Sequence, residues 1–546
     1  MKQRLSWLII LAAAVLLRFY QLGQNPISLY WDEAAIAVDA YSISQTGRDM
    51  NNHHWLQPVL GSYGDFKAPV LIWLTALSVK LFGMEPWAIR LPVALASVAT
   101  VLLAAYLVRL LLAFDPLLAK RYRLLPLLTA LLLAISPWPV HFGRIGLESS
   151  LSVSLLLLTL VAFVRGVRGR GWWLVLSAVC ASLAIYSYYS LRLVIPLLAV
   201  FLALVFWRQL WRRRLMVLVG GLLFLALLWP LLTSPYYERS QDYRLNNNNL
   251  IRMTQVITES SQYLERYDNA WYARLLYHRY LLWLRDFSLN YSSHFSLQFL
   301  FINGDPNLRQ HSGYFGEFLP VLLPAYLLGL YVAWRSRRSK LVLTLLPLLL
   351  LAPIPAAMVY EVPHASRAIY LFVPLAVMIA WGLHEIYSRW RKMFVVLLLA
   401  VGLNAGLFFA DYFLDYPKRS SEAWLYSYNQ VAAYIKENHQ QFRAIEIDER
   451  YWLPNIFVYY QLPELLTESR NLKEAFLNSP VNSFGLPDPF TYLLDQRDES
   501  KAVAKFLHYT VVPPAGFVLE REFPFADGQP SLNLFIKTES NDAKAE

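Results

Sequence analysis

Charge is scarce in this chain: Lys, Arg, Asp and Glu make up 16% of its 546 residues. A soluble domain carries about 25%. Cysteine is nearly absent. The single copy, Cys180, lies inside an apolar run, so neither a disulfide framework nor a cysteine metal site can form. Nucleotide signatures are missing too. No Walker A sequence and no GxGxxG after a strand occurs, so a nucleotide-bound donor is unsupported. The outer-loop histidines His53, His54, His294 and His311 show no metal spacing such as H-E-x-x-H. A required metal is therefore not expected, although a divalent ion stays open. No internal repeat at a fixed period is found.

What is abundant is apolar: 57% of residues are hydrophobic and 15% aromatic. Apolar runs of near-spanning length occupy 5–22, 86–114, 124–140, 149–164, 172–189, 193–207, 215–235, 318–334, 341–360, 368–383 and 393–410, about eleven in all. The first follows Lys2 and Arg4 and could be a signal peptide. A retained span is the expectation, with Arg18 snorkelling to the interface. The net charge of +11 is not one nucleic-acid patch. Its basic residues cluster between the runs. Lys120, Arg121, Arg123, Arg165, Arg168, Arg170, Arg208, Arg212, Arg213, Arg214, Arg335, Arg337, Arg338, Lys340, Arg389, Arg391 and Lys392 fall in one set of connections. The alternate short connections hold only Arg144, Arg192 and Arg367. This bias predicts a cytoplasmic N-terminus and a C-terminal segment outside. Trp138, Trp207, Trp334 and Trp390 lie near span ends, as an aromatic belt requires.

The expected architecture is a mainly α polytopic membrane protein with a small α/β tail. A membrane domain covers 1–412, with outer loops at 23–85 and 236–317, and a soluble extracytoplasmic domain covers 413–546. In the first loop, the apolar stretch 68–82 is too short and too flanked by charge to cross, so it should lie in the interface or re-enter. The second loop should hold an amphipathic helix at 262–287. In the tail a helix is expected over 421–437, capped by Ser420 or Ser421, with strands at 444–447 and 532–536. Asp527-Gly528 predicts a hairpin joining 517–523 to 532–536.

Ionisable residues gather on the outer side. Tyr30-Trp31-Asp32-Glu33 precedes Ala34-Ala35-Ile36-Ala37. The plain reading is a helix N-terminus, where acids are favoured. The sharper one is a general base taking a proton from a hydroxyl. Lys67, in Gly64-Asp65-Phe66-Lys67-Ala68-Pro69, either snorkels or holds a lipid phosphate. His141, Arg144 and Glu148 share one short loop, where Arg144–Glu148 could be a structural pair. Arg367, after His364, opens another span on that side, as anchor or phosphate ligand.

In order, spacing and side these stretches resemble the GT-C superfamily of glycosyltransferases, in the branch of the protein O-mannosyltransferases and the lipid A aminoarabinose transferase. The resemblance is carried by LLRFYQLGQNPISLYWDEAAIAVDAYSISQTGRD, SYGDFKAPVLIWLTALSVKLFGMEPWAIRLP, SPWPVHFGRIGLESSL, NYSSHFSLQFLFINGDPNLRQHSGYFGEF and VPHASRAIYLFVPLAV. It implies a GT-C fold with juxtamembrane helices and a polyprenyl-phosphate-linked sugar donor. It implies Asp32 as the base with Glu33 beside it, and Glu148 as a second catalytic acid. Lys67, and more loosely Arg367 and Arg144, would bind the donor phosphate. His141, His294, Asp305 and His364 lie in the resembling stretches as candidate pocket residues.

The implied function is inverting sugar transfer from the lipid carrier to an acceptor hydroxyl of a protein, glycan or lipid. It would take place at the outer face of the cytoplasmic (inner) membrane, and no cofactor is expected. A transporter or lipid-linked-sugar flippase is the main rival, since many spans and outer ionisable residues suit it as well. A sensor or scaffold is a third reading.

Overall fold

In a computed structural model, residues 2–63, 65–247, 254–359, 361–448, 450–451, 454–463, 490–493, 501–512 and 514–537 are described. Gly64 of the Lys67 motif and Tyr360 at the end of one apolar run lie outside them. The fold is mainly helical, with helices in each of the eleven apolar runs. Among the described residues, six helices are long and apolar enough to cross a membrane: Pro86–Leu112, Glu148–Arg168, Arg214–Leu232, Lys340–Ala357, Ile369–Arg389 and Arg391–Arg419. Others, such as Leu125–Ile135, Trp172–Ser187, Leu191–Val205 and Pro320–Arg335, are shorter apolar helices. The chain divides into two compact units. One comprises Met1–Tyr20 and Val93–Asp411, the other Gln21–Pro92 and Tyr412–Glu546.

The first unit is a helical bundle. Its centre is the helix Phe372–Arg389, apolar and wholly buried along its spanning stretch. It packs closely on Leu323–Arg335 through Gly329 and Gly382. A Cβ at either glycine would sit 1.8 Å from a carbonyl oxygen of the facing helix. Such small-residue contacts are how apolar helices approach where lipid gives no hydrophobic drive. At the other extreme, Arg214–Leu232 and Arg391–Arg419 bury only 17% of their most apolar stretch. Exposed Leu218, Leu222, Trp229, Val396, Leu399 and Leu403 make a surface that suits lipid and not water.

Three expectations fail inside this unit. Arg18 does not snorkel; it is fully buried. Its guanidinium donates to Ser97 Oγ at 2.9 Å, Ala134 O at 2.9 Å and Leu133 O at 2.7 Å. The helix Leu125–Ile135 ends just before Pro137 and Pro139, which leaves carbonyls that need donors. Trp138 is not part of an interfacial belt either. It is fully buried against Phe299, Phe318 and Phe372, whereas Trp207, Trp334 and Trp390 are exposed. The amphipathic 262–287 segment is not one helix. It breaks between Thr254–Arg266, Trp271–Leu276 and Arg279–Ser293, where Asp268 and Asn269 take left-handed backbone angles.

The second unit joins the first loop to the tail. Trp31–Thr46 is a helix with two acids in its first turn, closed by Gly47 at φ 69°. Strands β1 (Leu60–Ser62) and β2 (Asp65–Lys67) pair antiparallel, and Pro69 then opens the helix Pro69–Phe82. In the tail the helix starts later than its serines suggest, at Tyr426–Asn438. Ser420 Oγ instead bonds back to Tyr416 O at 2.7 Å. Strands β3 (Phe442–Ile447), β4 (Phe490–Leu493), β5 (Ala502–His508), β6 (Val518–Phe523) and β7 (Leu532–Lys537) form a mixed sheet in the order β4-β3-β5-β7-β6. The expected hairpin is β6–β7, in antiparallel register. Tail and loop share hydrogen bonds: Ser28 Oγ donates to Trp424 O at 2.7 Å, Asn429 Nδ2 to Leu29 O at 3.0 Å and Tyr460 OH to Met84 O at 2.6 Å.

Candidate active site

The candidate residues fall into a group within each unit. In the loop-and-tail unit, the neighbours Asp32 and Glu33 point to different partners. Successive residues on a helix diverge by about 100°, so this separation is expected. Asp32 is partly exposed, and its Oδ1 pairs with Lys67 Nζ. The indole of Trp31 donates to the other oxygen at 3.2 Å. Lys67 is nearly buried at the end of β2, with Asp65 Oδ2 at 3.6 Å. It therefore does not snorkel; the hairpin turns it back onto the helix Trp31–Thr46.

Glu33 is fully buried and bidentate to Arg90, with Nε–Oε1 at 2.8 Å and Nη2–Oε2 at 3.0 Å. It also accepts the Tyr30 N–H at 3.3 Å, the reciprocal half of a capping box. Arg90 further donates to Leu22 O, Pro26 O and Ser28 O at 3.1, 2.9 and 2.7 Å. One buried guanidinium thus gathers the chain leading into the helix. Glu33 was grouped with the catalytic acids by sequence, but this is the place of an anchor, closed to an acceptor.

Sequence reasoning missed Arg90 and Asp39. Asp39 follows Asp32 by seven residues, two helical turns, and so shares its face. That spacing was readable. Asp39 is fully buried and accepts the Met50 N–H at 3.1 Å. Burial, and then the charge of Asp49, pushes its carboxyl up to about 7.

In the helical unit, three loops converge. Asp305 accepts the N–H of Ala365 at 2.7 Å and of Asn307 at 2.8 Å. Glu317 is fully buried and accepts the Asp305 N–H at 3.2 Å. His294 Nδ1 lies 2.8 Å from Asn290 O, and its Nε2 accepts the His364 N–H at 3.0 Å. The proton must then sit on Nδ1, and the ring is neutral. Gln310 Oε1 accepts the Ser366 N–H at 2.8 Å, and Ser366 Oγ meets Ser149 Oγ at 2.8 Å. That last contact sets Glu148, in the first turn of Glu148–Arg168, and the half-buried Arg367 beside each other's loops. His141 Nε2 lies 2.8 Å from Arg309 O. Glu317, Gln310 and Arg309 were not singled out from sequence.

Burial dominates the charge states here. It pushes Asp305 up to about 6 and Glu317 well above its ordinary range. It pulls His294 down to about 4, and it holds His364 well below its ordinary range with help from the Arg367 charge. Arg144 has a different task. Fully buried, it donates to Leu17 O at 2.8 Å and Tyr20 O at 2.7 Å, tying down the end of the first helix. Among the described residues no group of three or more His, Cys, Asp or Glu is arranged to hold a metal ion.

Residues 66–233 match the model of the family described as dolichyl-phosphate-mannose-protein mannosyltransferase. No curated protein sequence matches the chain significantly. Among solved structures, the chain is similar to the crystal structure of ArnT from Cupriavidus metallidurans in the apo state, with 13% identity and a TM-score of 0.53 over 99% of both chains. It is equally similar to the same protein bound to undecaprenyl phosphate, with 13% identity and a TM-score of 0.53 over 98% of both chains. The resemblance read from the sequence therefore holds at the level of fold: the chain has the ArnT-like GT-C fold, and its residues 66–233 are similar to the mannosyltransferase family.

Proposed function

We propose that the protein is an inverting glycosyltransferase of the cytoplasmic membrane, which moves a sugar from a polyprenyl-phosphate carrier to an acceptor hydroxyl on the extracytoplasmic face. The observation that carries this is the Asp32–Lys67 pair: a partly exposed carboxylate held against a nearly buried ammonium in the first outer loop. The ArnT structure with undecaprenyl phosphate supports the class of donor. The clustering of Arg and Lys in alternate connections supports the outward orientation.

In the proposed step, the acceptor oxygen attacks the anomeric carbon while Asp32 takes its proton. The bond from the anomeric carbon to the phosphate oxygen breaks on the opposite face, and polyprenyl phosphate leaves as an anion. That leaving group is already a weak base, so no general acid is needed. Lys67 stabilises the charge that develops on it. As the lysine turns toward the phosphate it relaxes its hold on Asp32, which is when the base is required. One displacement inverts the configuration; retention would need a carboxylate nucleophile and a covalent intermediate. No step is assigned to a metal.

The test is to purify the protein and its Asp32→Asn variant and to supply polyprenyl-phosphate sugars with envelope extracts as acceptor. Release of polyprenyl phosphate and labelling of an acceptor, both absent in the variant while donor lipid still binds, is the expected outcome. An active Asp32→Asn protein would remove Asp32 as the base. Lipid-linked sugar moving across vesicles without transfer would favour a flippase instead.

A further inference from the structure

The tail sheet contains one parallel pair, β3 and β5. In open α/β sheets, ligands gather outside the carboxyl ends of parallel strands, where the chain turns away into loops. Both strands here run out into polar and aromatic residues. Asp448, Arg450 and Tyr451 follow β3; His508 ends β5, and Tyr509 and Thr510 follow it. The reaction proposed above uses none of them.

The cluster is built before any ligand arrives. Tyr428 OH donates to Asp448 O at 2.6 Å and accepts the Tyr451 N–H at 3.2 Å, which fastens the β3 loop to the helix Tyr426–Asn438. Arg450 Nη1 donates to Thr510 Oγ1 at 2.7 Å and to His508 Nδ1 at 2.9 Å. Guanidinium has no acceptor, so His508 Nδ1 accepts and the ring proton sits on Nε2. Nε2–H then donates to Tyr451 OH at 3.1 Å. Burial, and next the Arg450 charge, lowers the histidine pKa, in keeping with a neutral ring.

Arg450 itself is not used up. Its side chain is half exposed, and Asp448 Oδ2 stands off its Nε at 3.8 Å. Asp448 is occupied elsewhere, taking the N–H of Arg450 at 2.9 Å and of His508 at 3.3 Å. Among the described residues Nη2 makes no hydrogen bond. A guanidinium fixed at one terminal nitrogen and open at the other is pre-organised for an oxyanion. Rings stand beside its partner His508. Tyr509 is 46% exposed, with its centroid 4.5 Å from His508, and Tyr451 lies 5.6 Å from His508. An exposed aromatic face packs the apolar face of a sugar ring.

We propose that this strand-end cluster binds an acidic saccharide, a sugar ring bearing a carboxylate or a phosphate. Arg450 Nη2 takes the oxyanion and Tyr509 takes the ring. That such a saccharide is part of the acceptor rests on the transferase reading; the binding itself does not. The competing role for Arg450 is a staple between the ends of β3 and β5.

The experiment titrates the full-length protein in detergent with glucuronate and glucose 6-phosphate, with methyl glucoside and inorganic phosphate as half-ligands. At least one acidic sugar should bind in the millimolar range or tighter. The half-ligands should bind about tenfold more weakly, since each lacks one of the two contacts. Arg450→Ala should weaken the acidic sugar by about tenfold or more. Tyr509→Ala should weaken it several-fold, and this variant leaves the Arg450 staple intact. Donor-lipid binding should be unchanged in both. The proposal is overturned if neither acidic sugar binds, if both variants bind as the wild type does, or if Lys67→Ala abolishes binding that Arg450→Ala retains. Acidic-sugar binding by a protein that moves no sugar from the polyprenyl-phosphate carrier would sink the transferase reading and leave this site standing.

Discussion

The first loop and the loops around Asp305 and His364 both bury acids, and they satisfy most of them in different ways. In the first loop Asp32 faces Lys67 and Glu33 faces Arg90, and Asp39, which rests on the Met50 N–H, is the exception. In the later loops Asp305 and Glu317 rest on backbone N–H groups, and His294 serves as a neutral linker. A carboxylate paired with a cation is suited to chemistry or to anchoring. Buried groups cradled by backbone drift toward neutrality, and what they do is pin loops together. Ionisable loop residues in one protein are thus of two kinds, and the partner, not the residue type, tells them apart.

The sharpest break in that comparison lies within the first loop. Asp32→Asn should cost turnover by on the order of 10²–10⁴-fold with the fold intact, the range for losing a general base. It is measured as release of polyprenyl phosphate. Glu33 should behave oppositely. Glu33→Leu leaves Arg90 buried without its counter-ion, and breaking such a pair costs about 3–5 kcal/mol. A fall in melting temperature or in yield is the expected result. If Glu33→Leu were stable yet inactive, and Asp32→Asn active, the two assignments would have to be exchanged.

Much of this was legible before any coordinates. The apolar runs and the hairpin at Asp527-Gly528 follow from local rules, because periodicity and turn chemistry act over a few residues. The candidate acids and Lys67 were found as breaks in an apolar background. Their partners were not. Arg90 looked like one more charge in a helix, yet it lies 57 residues from Glu33 in the chain and meets it only through folding. Arg18 and Trp138 went wrong for the same reason. A polar or aromatic residue near a span end looks interfacial in sequence, but the carbonyls after Leu132 and the rings of Phe299 and Phe318 bury these two.

The second break concerns the later loops, and it is read from pH. Burial holds Asp305 protonated up to about 6, above its ordinary 3.8. Between these values the native state binds a proton that the unfolded chain has released, so stability falls as pH rises through the window. His294 is pulled from 6.5 to about 4. There the unfolded chain binds the extra proton, so stability rises with pH. The two slopes oppose over roughly pH 4–6, each at most about 1.4 kcal/mol per unit. Relative to wild type, Asp305→Asn should tilt stability upward with pH across that window, and His294→Gln should tilt it downward. Thermal unfolding at pH 4, 5 and 6 measures both. Parallel shifts with no change in slope would mean that these groups titrate as they do in the unfolded chain.

The smallest expected effect tests whether the tail helps to set the first loop. The chain before Trp31 is held from two directions. Arg90 takes the carbonyls of Leu22, Pro26 and Ser28. From the tail, Asn429 Nδ2 donates to Leu29 O at 3.0 Å, and Trp424 O accepts from Ser28 at 2.7 Å. The first set is charge-assisted and the second neutral, so Arg90 should dominate. Asn429→Ala should cost about 1 kcal/mol of stability, the usual net value of one neutral hydrogen bond. A structural role alone ends there. If the tail also orients the helix that carries Asp32, turnover should drop a few-fold while the KM for donor lipid stays fixed, because Lys67 is untouched. Rescue by Asn429→Gln but not by Asn429→Leu would tie that drop to the amide and not to lost packing. Unchanged turnover would leave Arg90 and Glu33 as the elements that set the loop, and the comparison between paired ions and neutral contacts would become steeper still.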